Sequence, residues 1–378
     1  MLGYLPKKKK NVVFLTTKKT SQHESFKSLL KEHKNIQIEY IKFIRPKSFS
    51  TMSMLIHQIR LFFLIKKKYK IISKKYKFDH IFINSLDHFD KALSLFGDPF
   101  YNVNFSGIYV NPKFHLQKYN LGKAGRYNVI SKFFFKKLLK TPNLRNILTN
   151  DKFFINYIIS NNFKNFNKLK FLCEPREFTH SFNKSYSRYL LKLPKNNFFI
   201  LVYGALKKSK GIAELFLALC NNNINKKVSV ILAGDAHKEI KHFLNSRVTK
   251  LLIKEKKLFY FKGFQSNKEE SILFSASDIV WVGYQKQFPF LSGVLYQAAI
   301  KKLPIIASNH GIIGWMNKKH KLGLSVDITD VNLVVKTINK FCQKKIYNSY
   351  YSNINSFSKR LNPKFFMKQI NDLLVEKY

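Results

Sequence analysis

The sequence predicts an α/β protein built from two doubly wound, Rossmann-like domains facing each other across a cleft, followed by a carboxy-terminal helix. Three observations predict it. Short runs rich in Val, Ile and Phe alternate with longer stretches whose apolar residues recur at helical spacing, the signature of parallel strands joined by helices. That alternation breaks once, across residues 183–197, and then resumes. Several of the apolar runs stop at a glycine, as strands do where a backbone must approach a ligand closely. A length of 378 residues accommodates two such domains.

The elements follow in order. Asn11–Thr16 (NVVFLT) reads as a buried first strand, Ser21–His33 as a helix and Ile36–Ile44 as a second strand. Thr51–Lys70 places apolar residues at helical spacing with lysines opposite. His80–Asn84 is a third strand, and Val103–Val110, Asn146–Thr149 and Lys170–Cys173 are further strands. The tract from Phe182 to Asn197 contains Pro194, lacks periodicity and is rich in Asn, Ser and Lys, which marks a boundary. The second series runs Phe198–Tyr203 (strand), Gly211–Asn222 (helix), Val228–Ala233 (strand), Lys238–Lys250 (helix) and Leu258–Phe261 (strand). It continues with Lys268–Ala276 (helix), Ile279–Val282 (strand), Gly293–Lys301 (helix), Ile305–Ser308 (strand) and Leu324–Asp327 (strand). Pro363–Lys377 is amphipathic and helical. The expected division is a first Rossmann-like domain 1–182, a linker 183–197, a second Rossmann-like domain 198–350 and a helical tail 351–378.

Composition excludes several classes. Basic residues number 68 against 21 acidic, a formal charge of +47, yet 37 Phe and 19 Tyr supply far more burial than a disordered chain possesses. Only eight of the basic residues are arginine, whereas nucleic-acid readout favours the bidentate arginine fork, so no nucleic-acid partner is expected. Lys, Asn, Ile, Phe and Tyr are enriched together, as an A+T-rich genome would produce, which accounts for much of the charge without a partner. Cys173, Cys220 and Cys342 are odd in number and form no C-x-x-C pair, so a disulfide scaffold and a zinc cluster are disfavoured. The apolar segment after the basic Met1–Lys10 run is too short for a signal peptide, and Leu61–Ile65 is far shorter than a membrane span. A cytoplasmic chain, free or peripheral at the inner face of the cell membrane, is the expectation.

The chemistry concentrates in the second half. Val202-Tyr203-Gly204-Ala205-Leu206-Lys207-Lys208-Ser209-Lys210-Gly211 is a strand that stops at a glycine, turns, and opens a helix at Gly211. A helix start presents free N–H groups and partial positive charge, a natural phosphate site, and Lys210 stands beside it. The alternative is an ordinary strand–turn–helix connection with a solvated lysine. Gly234-Asp235 and Gly263 end two further strands, Ser292-Gly293 opens another helix, and Pro304–Ser308 delivers a strand into the loop Asn309-His310-Gly311. His310 is either a donor contact or a surface-loop histidine. Glu269-Glu270 sits at a helix start, where it complements the dipole.

The order and spacing of these motifs resemble the GT-B glycosyltransferases, specifically the family-four, group 1, retaining enzymes. The match runs through Gly204, Leu206, Lys210, Gly211, Ala233, Gly234, Gly263, Asp278, Pro304, Ala307, Ser308 and Gly311. The resemblance implies a hexosyltransferase taking a nucleotide-diphosphate sugar, with donor contacts at Gly204, Lys210, Gly211, Gly234, Asp235, Gly263, Ser292, Gly293, Gln297, His310 and Gly311. It also implies retention of configuration, a saccharide or lipid-linked acceptor and a role in bacterial surface polysaccharide biosynthesis. Three positions depart from the pattern. Ala205 stands where the family carries a phosphate-binding arginine, and Pro289 and Gln297 stand where it carries the two glutamates of E-x7-E. A catalytically inactive GT-B-like binding or assembly subunit is therefore one alternative, and a basic nucleic-acid-binding protein, whose affinity would fall steeply with salt, is the other.

No D-x-D occurs in the chain, so no metal and no other cofactor is expected; Lys210 and helix N-termini must meet the leaving-group charge. Front-face transfer needs no protein nucleophile. If a base is required, Asp87 at a strand end is the first candidate, and its alternative role is that of a loop or helix-capping carboxylate. Around Ile56–Lys75 the run Leu61–Ile65 abuts Lys66, Lys67, Lys68, Lys70, Lys74 and Lys75. That segment could dock on an anionic membrane surface or pack within its own domain.

Overall fold

A computed structural model describes residues 11–22, 26–27, 30–31, 35–42, 44, 46, 48, 50–110, 112–119, 126–172 and 180–375. The chain divides into two compact units, Met1–Pro175 with Pro363–Tyr378, and Arg176–Asn362.

In the first unit β1 (Val12–Thr16) and β2 (Ile36–Tyr40) form a parallel pair. A separate parallel sheet takes β3 (Ile81–Ile83), β4 (Phe105–Ile108), β5 (Leu144–Thr149) and β6 (Leu169–Phe171) in chain order. Helices Thr51–Ile72, Asp90–Phe96, Arg126–Leu138 and Lys152–Ser160 lie between these strands in sequence. The core is phenylalanine-dense: Phe62, Phe89, Phe105, Phe135 and Phe154 are all buried, and Phe135 meets Phe154 edge-on at 5.0 Å. Edge-to-face contacts of this kind add to what burial alone supplies. The carboxy-terminal helix Pro363–Val375 closes this unit by seating Phe366 among Ile108, Leu148 and Leu172.

The second unit is a six-stranded parallel sheet: β7 (Phe198–Tyr203), β8 (Val228–Gly234), β9 (Leu258–Lys262), β10 (Ile279–Val282), β11 (Ile305–Ser308) and β12 (Gly323–Val326). Their order is β12-β11-β10-β7-β8-β9. The chain winds outward from β7 to one edge, returns to β10 and winds to the other. The switch point therefore lies between β7 and β10, where doubly wound sheets bind ligands at the carboxyl ends of strands.

Three expectations are corrected. The stretch 183–197 is not a bare linker: it holds helix Lys184–Leu190, part of the second unit. Buried Arg188 anchors it, donating to Ala276 O at 3.0 Å and Lys195 O at 2.5 Å and pairing with Asp278 at 2.7 Å. The helix buries polar Ser187 and Arg188 and turns Tyr186, Tyr189 and Leu190 outward, so its two turns show no apolar period. The segment 351–378 divides, because helix Tyr351–Lys359 buries Ile354 and Phe357 in the second unit while Pro363–Val375 joins the first. The helix expected over Lys238–Lys250 is two, Lys238–Leu244 and Arg247–Lys254, the latter capped by Ser246.

Candidate functional site

The candidate site is built along the carboxyl edge of the second sheet. After β7 the chain passes Gly204, makes a single 3-10 turn at Lys208–Lys210, and enters helix Ile212–Leu219 through Gly211. Two glycines are sterically required. Gly234 has φ +145°, and a Cβ there would stand 1.9 Å from the Gly204 carbonyl oxygen. Gly211 has φ +60°, and its Cβ would lie 2.7 Å from the Gly283 carbonyl and 2.6 Å from Ile328 Cδ1. The loops after β7, β8 and β10 are thus drawn together at backbone contact. Hydrogen bonds lock them: Gly204 N–H donates to Ala233 O, Gly263 N–H to Gly234 O, and the Trp281 indole to Lys210 O at 2.8 Å.

Lys210 turns back into this corner. Its ammonium donates to the Tyr203 carbonyl and lies 5.8 Å from the centre of the Tyr284 ring. No carboxylate pairs with it among the described residues. Burial, helped by the like charge of Lys207, lowers its pKa to about 8. A cation held in a desolvated corner without a counter-charge is arranged to receive an anion.

Tyr284, just after β10, joins the elements on the other side of the switch point. Its ring lies beneath the Lys210 ammonium, its hydroxyl bonds the Ser292 hydroxyl at 2.9 Å, and its N–H reaches Ser308 Oγ at 3.4 Å. Burial raises its phenol pKa. Ser292 is buried and its hydroxyl is engaged by Tyr284, so what remains for a ligand at the start of helix Gly293–Ile300 is backbone. Gln297, on the same helix, donates to the Glu270 carboxylate. Glu270 in turn bonds the Tyr203 hydroxyl, and burial with this carboxylate raises the Tyr203 pKa.

The other expected residues fall as follows. Gly263 faces open space. The Asp235 carboxylate is exposed while its carbonyl accepts Leu206 N–H. His310 and Gly311 are not in a free loop: His310 is the N-cap of helix Gly311–His320, and Ile312 N–H donates to Pro289 O at 3.1 Å. Both His310 ring nitrogens are buried without a hydrogen-bond partner. Trp315 lies in that helix, with the Lys319 ammonium 4.7 Å from its ring. Asp278 is structural. It accepts from Lys184, Arg188 and the Phe199 N–H, at the amino end of β10 and away from the glycine edge. Asp87 belongs to the first unit, where one carboxylate oxygen accepts the Val110 N–H at 2.9 Å. Glu269 forms a capping box with Ser266, as its place at a helix start implies.

Residues 187–356 match the model of the group 1 glycosyl transferases. That match lies wholly within the second unit and covers less than half of the chain. No curated protein matches the chain. Solved structures similar to it include Anabaena HepE in complex with UDP, with a TM-score of 0.68 and 14% identity over 97% of this chain and 100% of that one. Sucrose-phosphate synthase of Thermosynechococcus elongatus gives 0.66 and 14% over 90% and 83%. A glycosyltransferase of Rickettsia africae gives 0.57 and 16% over 97% and 90%. The whole chain therefore has the GT-B fold, and the Gly204–Gly211 turn stands at the switch point of its second sheet.

Sequence reasoning missed Gly283 and Tyr284 and read Glu270 only as a helix-start carboxylate, not as the partner of Gln297. Gly283-Tyr284 follows β10 as Gly204 follows β7, a repeated strand-to-glycine signal that could have been read. The bond from Gln297 to Glu270 carried no signal: only packing of the Glu270 helix beside β7 makes it.

Proposed function

We propose that this protein is a group 1 glycosyltransferase that moves a hexose from a nucleotide-diphosphate donor to a saccharide or lipid-linked acceptor, with retention and without a metal, in surface polysaccharide synthesis at the cytoplasmic side of a bacterial membrane. One observation carries the reading: an unpaired, desolvated ammonium, Lys210, set at the β7–β10 switch point among loops drawn to backbone contact. UDP in the HepE complex supplies a precedent for the donor class.

The diphosphate would meet the Lys210 ammonium and the N–H groups at the start of helix Gly293–Ile300, which stabilise the charge that grows as the glycosidic bond breaks. The acceptor hydroxyl would attack from the face the diphosphate leaves and pass its proton to the departing phosphate oxygen, so no protein nucleophile is required. The absence of D-x-D supports the metal-free reading. Ser292 and Gln297, whose polar groups are held by Tyr284 and Glu270, favour a second reading in which the protein binds donor without turning it over.

A thermal-shift panel with UDP, GDP, CDP and ADP tests both. One nucleotide stabilises the protein, by about 3 kcal/mol at a hundredfold excess over Kd, and Lys210→Ala abolishes the shift. No response to any of the four overturns the nucleotide site. Release of free sugar from the stabilising donor separates an active enzyme from a binding subunit.

A further inference from the structure

Beyond the donor site, the helices of the first unit present one outer surface with an unusual make-up. Helix Asp90–Phe96 joins helix Thr51–Ile72 to helix Arg126–Leu138. Phe63 meets Phe96 at 5.2 Å between ring centroids, and Ser94 Oγ donates to Phe134 O at 2.7 Å. Most of the run Leu61–Ile65 does not face out: Phe62 is buried and Leu61 and Ile65 pack on the core, leaving Phe63 outward. The outward stripe of helix Thr51–Ile72 is instead Met52, Ile56, Arg60, Phe63, Lys67 and Lys70, spaced three and four apart. Helix Arg126–Leu138 repeats the composition with Val129, Ile130, Phe133, Lys136 and Lys137. Val129 is 70% exposed, Met52 66% and Phe133 54%, and Leu95 and Phe96 are exposed between the two long helices.

The outward charge of these helices has one sign, the neighbouring Glu39 being paired with Lys68 and Lys75. Neither long helix contains an acidic residue, and Asp90, the only one on the short helix, is buried against Gln58 and Tyr109. A protein partner would ordinarily meet counter-charges and a continuous apolar patch. Here apolar side chains alternate with long, flexible lysines; the Lys137 ammonium lies 5.2 Å from the Phe133 ring. Apolar groups that dip among headgroups while surrounding cations meet lipid phosphates are the chemistry of an interfacial surface. We infer that the outer face of helices Thr51–Ile72, Asp90–Phe96 and Arg126–Leu138 docks on an anionic lipid bilayer. Met52, Ile56, Phe63, Val129 and Phe133 enter the headgroup layer, and Arg60 and the lysines engage its phosphates.

The test is flotation of the full chain with phosphatidylcholine vesicles, with and without about one third phosphatidylglycerol. The total charge of +47 could by itself hold the protein to anionic vesicles, so the discriminating result is face-specific. Phe63→Ser with Phe133→Ser, and separately Lys67→Glu with Lys136→Glu, each weaken binding by about tenfold. The matched controls in the second unit, Leu217→Ser with Leu251→Ser and Lys226→Glu with Lys254→Glu, change it less than about twofold. All eight positions are exposed, and circular dichroism checks that each variant is folded. Equal weakening by the controls, or no binding of the wild type to anionic vesicles, overturns the proposal. So does a dimer of the wild type, or binding of a short RNA, that the Phe63→Ser, Phe133→Ser variant loses while vesicle binding persists.

Discussion

Lys210 illustrates how one residue can couple stability, pH and ligand. Its folded pKa of about 8 lies below the ordinary lysine value of 10.5, so between those pH values the unfolded chain holds a proton that the folded chain has lost. Folded stability therefore rises as pH rises through that window, and at neutral pH the buried charge costs stability. Lys210→Met, which keeps the bulk and removes the charge, should raise the unfolding free energy at pH 7 by about 1 kcal/mol or more while eliminating nucleotide binding. The wild type should bind the stabilising nucleotide progressively more weakly as pH rises through about 8, because an anion selects the protonated form. Titration calorimetry across pH 6.5–9.5, repeated in buffers of different ionisation enthalpy, would detect the proton taken up on binding. A flat profile would remove Lys210 from the binding event. Gly234 makes a purely steric prediction. Gly234→Ala places a methyl 1.9 Å from the Gly204 carbonyl and should cost about 3 kcal/mol or more, read as a lowered denaturant midpoint, with the Gly204 turn displaced.

At the scale of elements, the second sheet is clamped at its amino edge by the pair Arg188–Asp278. Arg188 is buried, its guanidinium lies over the Phe199 ring at 5.0 Å, and Asp278 also accepts the Phe199 N–H. This contact ties helix Lys184–Leu190 to β7 and β10. Arg188→Met should cost about 1–3 kcal/mol, because it removes the buried guanidinium and leaves Asp278 with only the more exposed Lys184 ammonium, whereas the double change with Asp278→Asn should recover part of that loss. A double-mutant cycle in urea measures this. Additive losses would show that the two charges act independently.

For the whole molecule, the chain ends its second unit at Asn362 and returns a final helix to the first. Phe366 then covers Ile108, Leu148 and Leu172, each buried. Deleting residues 363–378 should therefore expose an apolar surface on the first unit alone. Calorimetry of the full chain should resolve two transitions, only one of which the stabilising nucleotide raises. The deletion should lower the other by several degrees. A single transition shifted by both treatments would show that the units unfold as one.

All twelve strands among the described residues were legible, as were helices such as Thr51–Ile72, Ile212–Leu219 and Gly293–Ile300, because each carries its own periodic signal; helices Asp90–Phe96, Arg126–Leu138, Lys152–Ser160 and Val331–Phe341 were not read. The β3 run HIFIN and the β7 run FFILVY are apolar whatever they pair with. The Gly204–Gly211 turn was legible too, because glycine at a strand end reports a local backbone need. β2, short and alternating, was read four residues too long, and helix Gly311–His320 was read as a loop because it opens with His-Gly and breaks its apolar period at Asn317 and Lys318. Sequence by itself determined the α/β class, the strand series and the position of Lys210, all local or periodic properties. Tertiary structure alone decided that Tyr284 lies beneath Lys210, that Glu270 holds Gln297, and that Asp278 serves the opposite edge of the sheet. Those relations join residues many tens of positions apart, and nothing in the periodicity of either segment encodes the distance between them.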